Sequence, residues 1–273
     1  MAMEPSRGVA VVLLAAVCCL HGAQGTSPPY PPLPPPRPPV CPLSNPLTKI
    51  NFVQNAHGRA QVVQYVTDIP RLTSFTIHYW FSLETTSKTH TLFNYASDSY
   101  AGSELLEVQL ETNDEGRNQF WKVTIEGVET RVSAYPPIGQ WQWYHALHSW
   151  DSSTGIISHY INGELLQSHY NYQTKGLVIS PRGTARSGQT RRALFNNGVD
   201  QGEGLDGWLT LLQFSGKPIG VPTSSDTVAA KAERAYRCED QEEGEFISWS
   251  KTPRKSFGGV TAFPTFKSVC GQF

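Results

Sequence analysis

Excess charge is what this chain most lacks: 22 Lys and Arg stand against 23 Asp and Glu, a formal net charge of −1. That balance gives no electrostatic footprint for nucleic acid or for an anionic membrane surface. No G-x-S-x-G, H-E-x-x-H or C-x-x-C spacing occurs. The usual local signs of a serine hydrolase and of a zinc site are therefore absent. There is no Asn-x-Ser/Thr sequon, so N-glycosylation is not expected. Nor does any stretch reach the roughly 18 consecutive apolar residues of a membrane-spanning helix, so no membrane span is expected.

The longest apolar run, Val9 to Leu20, follows Arg7 and precedes Ala23-Gln24-Gly25. A positive residue, a short apolar stretch and small residues at a cut site are the pattern of a secretory leader. Residues 1–25 are thus expected to be a signal peptide, and the rest a secreted, extracellular protein. Its removal takes Cys18 and Cys19 and leaves Cys41, Cys238 and Cys270, an odd number for an oxidising compartment. One bridge and one leftover thiol are expected.

Proline and glycine are abundant, at 20 and 23 residues, and aromatics make up 11%. Ten of the prolines fall in 27–42, "SPPYPPLPPPRPPVCP". A sequence with so few amide hydrogens fills neither a helix nor a ladder and favours polyproline II. Residues 26–46 are read as a semi-rigid stalk roughly 45 Å long. Cys41, at its junction with the domain 47–273, suits an interchain disulfide, with an intrachain bridge as the alternative.

Beyond Leu47 the apolar pattern has period two. The predicted strands are 75–83, 104–111, 120–128, 143–150, 177–180, 207–216 and a pair within 155–170 joined at Asn162-Gly163. Many short strands separated by turn residues argue an all-β sandwich. The one helical stretch is 224–236, with Ser225 or Asp226 as its cap.

Chemistry-bearing residues concentrate in two places. In "WYHALHSWDSSTG" (143–155), strand alternation puts His145, Leu147 and Ser149 on one face and His148 with Trp150 on the other. His145 and Ser149 are then about 13 Å apart along the strand. A Ser–His pair must meet within about 3 Å, so no triad forms here. The histidines are expected to be half-buried sheet residues with satisfied ring nitrogens. In "EVQLE" (107–111), Glu107, Gln109 and Glu111 share a face. The motif is similar to the carboxylate strand of laminarinase-type glucanases, with Gln109 where that family has an aspartate. A retaining mechanism needs two carboxyl groups about 5–5.5 Å apart. An outward polar face is the alternative reading.

Four segments resemble the pentraxin family: "LTSFTIHYWF" (72–81), "YHALHSWDSSTG" (144–155), "YINGELL" (160–166) and "GEFISWSKTPRKSFGGVTAFP" (244–264). His145, Ser149, Trp150 and Ser152 match the family signature H-x-C-x-S-W-x-S. The resemblance implies a concanavalin A-like jelly-roll β-sandwich, secreted and non-enzymatic. It further implies assembly into rings and recognition of a glycan, a lipid head group or a protein surface. It places the ends of a core disulfide at Leu147 and His78, neither of which is cysteine. A bridge between Cys238 and Cys270 is implied by their placement around "GEFISWS". The family's calcium ligands fall at Gly102 and Ser103, at Arg182, Gly183 and Thr184, and at Asp200 and Glu203, with Gln201 and Asp206 nearby. Most of these are not carboxylates, so calcium binding of the family's kind is expected to be weak or lost. An adhesive matrix role and a glucanase acting through Glu107 and Glu111 are the alternative functions.

Overall fold

In a computed structural model, the described residues are 47–54, 60–98, 103–113, 118–191, 204–216, 227–239, 243–265 and 270–273. The leader, the proline-rich segment with Cys41, and Asp200, Gln201 and Glu203 lie outside them. Two antiparallel sheets face one another. One is ordered β10 (Glu164–Tyr170), β9 (Ile156–Ile161), β8 (Tyr144–Asp151), β3 (Ser74–Leu83), β12 (Gly207–Ser215), β1 (Leu47–Phe52) and β15 (Thr261–Thr265). Against its β12 lies the two-residue β13 (Ile247–Ser248). The other sheet runs β14 (Arg254–Phe257), β2 (Val62–Tyr65), β11 (Gly183–Ser187), β4 (His90–Ser97), β5 (Glu104–Asn113), β6 (Asn118–Ile125) and β7 (Val128–Ser133). The all-β sandwich with one short helix expected from the period-two pattern is the architecture observed.

Alternation explains the core. On β3, Phe75, Ile77, Tyr79, Phe81 and Leu83 point inward, and all are fully buried. Rings meet across the two sheets, Phe81 with Trp121 at 5.8 Å and Phe93 with Phe214 at 5.3 Å between centroids. The opposite face of β3 is buried as well, which alternation alone does not foresee. There α1 (Val228–Tyr236) lies on the outside of the first sheet, packing Ala232 against Leu147 and Tyr160. Tyr236 stacks on Trp80 at 5.6 Å. Covering one leucine-sized side chain contributes about 1.5–3 kcal/mol.

Three predicted boundaries change. The expected strand 120–128 is two strands, because Glu126 (φ 47°) and Gly127 (φ 80°) form a left-handed turn between β6 and β7. Its two positive φ angles match the geometry at Asn162 (φ 51°) and Gly163 (φ 84°), which joins β9 to β10 as expected. Residues 177–180 are not a strand; Ile179 makes only an isolated bridge to Leu72. The helix is capped by Thr227, whose Oγ1 accepts from Ala230 N at 3.1 Å, and Ser225 and Asp226 lie outside the described residues.

Candidate functional site

The polar groups of the second sheet gather on its outer face. Strands β4, β5 and β6 turn Phe93, Val108, Leu110 and Trp121 into the core, so the alternate side chains must face outward. Register then builds two rows across the sheet. One is Arg186, Asn94, Glu107, Thr124 and Glu129; the next is Thr91, Gln109, Lys122 and Arg131. Asn94 Nδ2 donates to Glu107 Oε1 at 3.1 Å and also to Glu104. Gln109 Nε2 donates to Thr91 Oγ1 at 3.1 Å. Glu111 pairs with Lys122 at 3.0 Å and with Arg131 at 2.6 Å. Burial pulls the Lys122 ammonium down, but its bond to Glu111 and the charges of Glu111, Glu107 and Glu129 outweigh it and hold the group above its usual value. Three buried acceptors in these rows, Asn94 Oδ1, Gln109 Oε1 and Thr124 Oγ1, find no hydrogen-bond partner. Such orphans are rare inside proteins, and these three are shut away from water, with Asn94 0% and Gln109 1% exposed.

Beside the rows, β11 and the end of β4 are joined by a cation of the chain itself. Arg186 Nη2 contacts Asp98 Oδ1 at 3.1 Å, and its Nη1 donates to the Thr184 carbonyl at 3.2 Å. Thr184 Oγ1 donates to Asp98 as well. Gly183 N donates to Tyr95 Oη at 2.9 Å. A Cβ at Gly183 would stand 2.7 Å from the Tyr95 ring and 2.8 Å from the Ala96 carbonyl. Arg182 is exposed and left-handed (φ 67°). Asp206 is engaged elsewhere, ion-paired to Lys88 at 2.6 Å and accepting from Gln54 N. Calcium requires six to eight oxygens. Ser103, Arg182, Gly183 and Thr184 do not fit that demand, since one is a cation, one is a glycine and the threonine hydroxyl is committed to Asp98. No cluster of three His, Cys, Asp or Glu suited to a metal occurs among the described residues.

The signature residues build the sheet. Ser149 Oγ donates to Phe75 O at 3.1 Å, Ser152 Oγ donates to Leu177 O at 2.6 Å, and Trp150 packs on Phe75 at 6.0 Å. His145 and His78 ring nitrogens lie 3.3 Å apart on the outer face, those of His148 and His159 2.9 Å apart in the core. His148 Nε2 is also 3.0 Å from Tyr79 Oη. The expectation of half-buried, satisfied rings holds for the burial of His169 but is corrected for His145, His148 and His159, which are fully buried, and His145 Nδ1 and His159 Nε2 have no hydrogen-bond partner. Three sheet strands and a helix together exclude water from positions that period-two reading leaves half exposed. Glu107 and Glu111 share the outer face as expected, yet they belong to different constellations, the one with Asn94 and the other clamped by two cations. A disulfide joins Cys238, just past α1, to Cys270, with Cα atoms 5.9 Å apart.

The family model for pentaxins matches residues 51–207, more than half of the chain. The chain belongs to the pentaxin family. Relatives include C-reactive protein 1.4 of Limulus polyphemus, 22% identical over 217 residues, which span 80% of this pentaxin and 85% of that protein. Human pentraxin-related protein PTX3 is 25% identical over 194 residues, spanning 70% of this chain and 46% of PTX3. Among solved structures, a native heptameric SAP-like pentraxin from Limulus polyphemus aligns with a TM-score of 0.68 and 19% identity, covering 82% of this chain and 97% of that one. At that identity the likeness shows the fold. Within this pentaxin, His78 and Leu147 are direct cross-strand partners of β3 and β8. Asn94, Asp98, Glu104 and Arg186 are the site residues that reading of the sequence passed over. Asn94 alone had a local signal, a single amide inside the apolar run "LFNYA" of β4.

Proposed function

We propose that this pentaxin is a secreted, non-catalytic recognition protein. It binds a glycan, a lipid head group or a protein surface through the outer face of its seven-stranded sheet, without calcium of the family's kind. The observation that carries this reading is the Arg186–Asp98–Thr184 cluster. Asp98, tied to the Arg186 cation, takes up the hydroxyl of Thr184, one of the positions where the resemblance puts a calcium ligand. Buried beside it, Asn94 donates to Glu104 and Glu107 and so fixes the carboxylates at this end of the sheet. Ring assembly, as in the heptameric Limulus pentraxin, and a Cys41 bridge between copies would turn weak sites into avid binding.

An array of glycans, lipid head groups and matrix proteins, probed with the secreted full-length chain, tests the reading. Equal binding with and without EDTA is the expected result, together with weakened binding by Asn94→Ala. Micromolar calcium affinity by isothermal titration, with signals lost in EDTA, would overturn the calcium-free part. Binding confined to matrix proteins and indifferent to Asn94→Ala would favour a purely adhesive role. Release of reducing sugar from β-glucan, abolished in Glu107→Gln, would overturn the non-catalytic part. Native mass with and without reductant reads the oligomer and the pairing of Cys41, and sequencing the secreted N-terminus reads the leader cut.

A further inference from the structure

The outer face of the other sheet carries a second group of features that the proposed recognition face does not use. We propose that Lys49, Trp80 and Trp143 form a site for the carboxyl terminus of a polypeptide ending in an aromatic residue, and that the chain's own Phe273 fills it. The three side chains come from separate parts of one sheet. Trp80 lies on β3, Lys49 on β1, and Trp143 immediately before β8. Strand β8 pairs with β3 on one side, and β12 separates β3 from β1 on the other. Lys49 bridges that gap by crossing Trp208 of β12, its ammonium 4.4 Å from the Trp208 ring centre and 5.9 Å from that of Trp143. Phe273, the last residue of the sequence, is seated among these groups. Its ring meets Trp80 edge-on at 5.3 Å and Trp143 at 5.2 Å between centroids. Its carboxylate oxygen accepts from Lys49 Nζ at 3.1 Å.

Two properties make Phe273 a tethered ligand more than a part of the sandwich. First, its segment belongs to no sheet. Among the described residues no strand pairs with 270–273, and no hydrogen bond between main-chain groups reaches them. The Cys238–Cys270 disulfide holds the segment at one end, and the contacts of Phe273 hold it at the other. Gly271 turns the chain over Trp80 in the left-handed region (φ 76°), where a Cβ would stand 3.4 Å from the indole. Second, the walls of the cradle have supports of their own. Trp80 stacks on Tyr236 of α1 at 5.6 Å and tilts against His145 at 5.5 Å. Trp143 and Phe273 are both half-buried, so the phenyl ring can leave without any strand moving.

The chemistry of the occupant follows from what Phe273 uses. A carboxylate on Lys49 makes a charge-assisted bond, and edge-on rings are a favoured aromatic geometry. An inorganic anion would use the ammonium and leave the indoles idle. An uncharged aromatic group would leave the ammonium unpaired. Only a ring and a carboxylate on one residue meet both, as at the end of a polypeptide. The short tether from the disulfide keeps Phe273 at a local concentration on the order of millimolar, so a free terminus must displace it.

The peptide acetyl-Gly-Gln-Phe, as free acid and as its carboxyl-terminal amide, tests the site when titrated into the secreted protein with tryptophan fluorescence as readout. The intact protein is expected to stay silent below about a millimolar peptide, because its own tail competes. The same protein lacking only Phe273 should shift its fluorescence and bind the acid about tenfold more tightly than the amide, the size of one charge-assisted bond. In that opened protein Lys49→Gln should bring acid and amide level, Trp143→Ala should weaken both, and Asn94→Ala should change neither. Phe273→Ala, which keeps the terminal carboxylate but not the ring, should open the site in part. Cys270→Ser in the full-length chain should bind the acid better than the intact protein and less well than the opened one. Circular dichroism and melting confirm that each variant folds. No binding to the opened protein, equal affinity for acid and amide, or an unchanged Lys49→Gln variant would each overturn the proposal. So would equal binding by the intact and opened proteins, which would make Phe273 a bystander.

Discussion

At the scale of single residues, Gly183 is held by what surrounds it. The Tyr95 ring and the Ala96 carbonyl fill the space a side chain would need. The glycine read from the sequence as one lost calcium ligand is thus a packing requirement of β11 against β4. Replacing it with alanine is expected to lower stability by about 1–3 kcal/mol, the usual effect of overpacking a close approach, measurable as a fall in the urea midpoint. The Arg186–Asp98 pair is exposed at Asp98 only, so removing the guanidinium is expected to lose the packing of a buried side chain and its bond to the Thr184 carbonyl as well as the ion pair. Neither Arg186 nor Asp98 carries any periodic signal, since each acts through a partner 88 residues away. Glu107 and Glu111 were legible as residues of one face. What each one bonds was not.

Among the elements, β3 and β8 show how far a pattern reaches. Alternation identifies both strands and assigns their faces, and the resemblance pairs His78 with Leu147, which the register of the two strands also does. Antiparallel partners have Cα atoms about 4.5–5.5 Å apart, within the range of a disulfide. The double substitution H78C/L147C is therefore expected to form an intrachain bridge, seen as loss of free thiols in non-reducing mass analysis. Persistent free thiols in a folded protein would contradict the register. Helix α1 gives a second check. Its cap is Thr227, and Thr227→Ala is expected to destabilise by about 1 kcal/mol, read by chemical denaturation. Serine or aspartate one or two positions earlier looked equally suitable, because cap residues are common in "TSSDT" and only backbone geometry chooses among them.

For the molecule as a whole, the buried histidines set a pH response. Burial, reinforced by Lys231 beside His78 and by His169 near His159, holds these two at about 3, against an ordinary value of 6.5. Burial likewise keeps His145 and His148 well below 6.5, reinforced by the repulsion of a proton on His78 for the first and on His159 or His145 for the second. The unfolded chain takes up these protons as the pH falls through 6.5, while the folded chain stays neutral. Their contribution to stability is accordingly complete above pH 6.5 and is lost progressively from there toward pH 3. Each site approaches a slope of about 1.4 kcal/mol per pH unit. The unfolding free energy from denaturant titrations is expected to drop by about several kcal/mol between pH 7 and pH 5, and a flat profile would show the rings reachable by water.

The fold class, the hairpin at Asn162-Gly163 and the family are local matters. Period-two apolarity, left-handed turn residues and a spaced signature are written along the chain, so the order of residues suffices to determine them. Which polar groups meet is a different kind of fact. Asn94 reaches Glu107 through the β4–β5 register, Arg186 reaches Asp98 because β11 crosses to β4, and Lys49 lies between Trp143 and Trp208 because β1 returns beside β12. Those contacts depend on strand order and on what covers each sheet, and only the tertiary structure decides them.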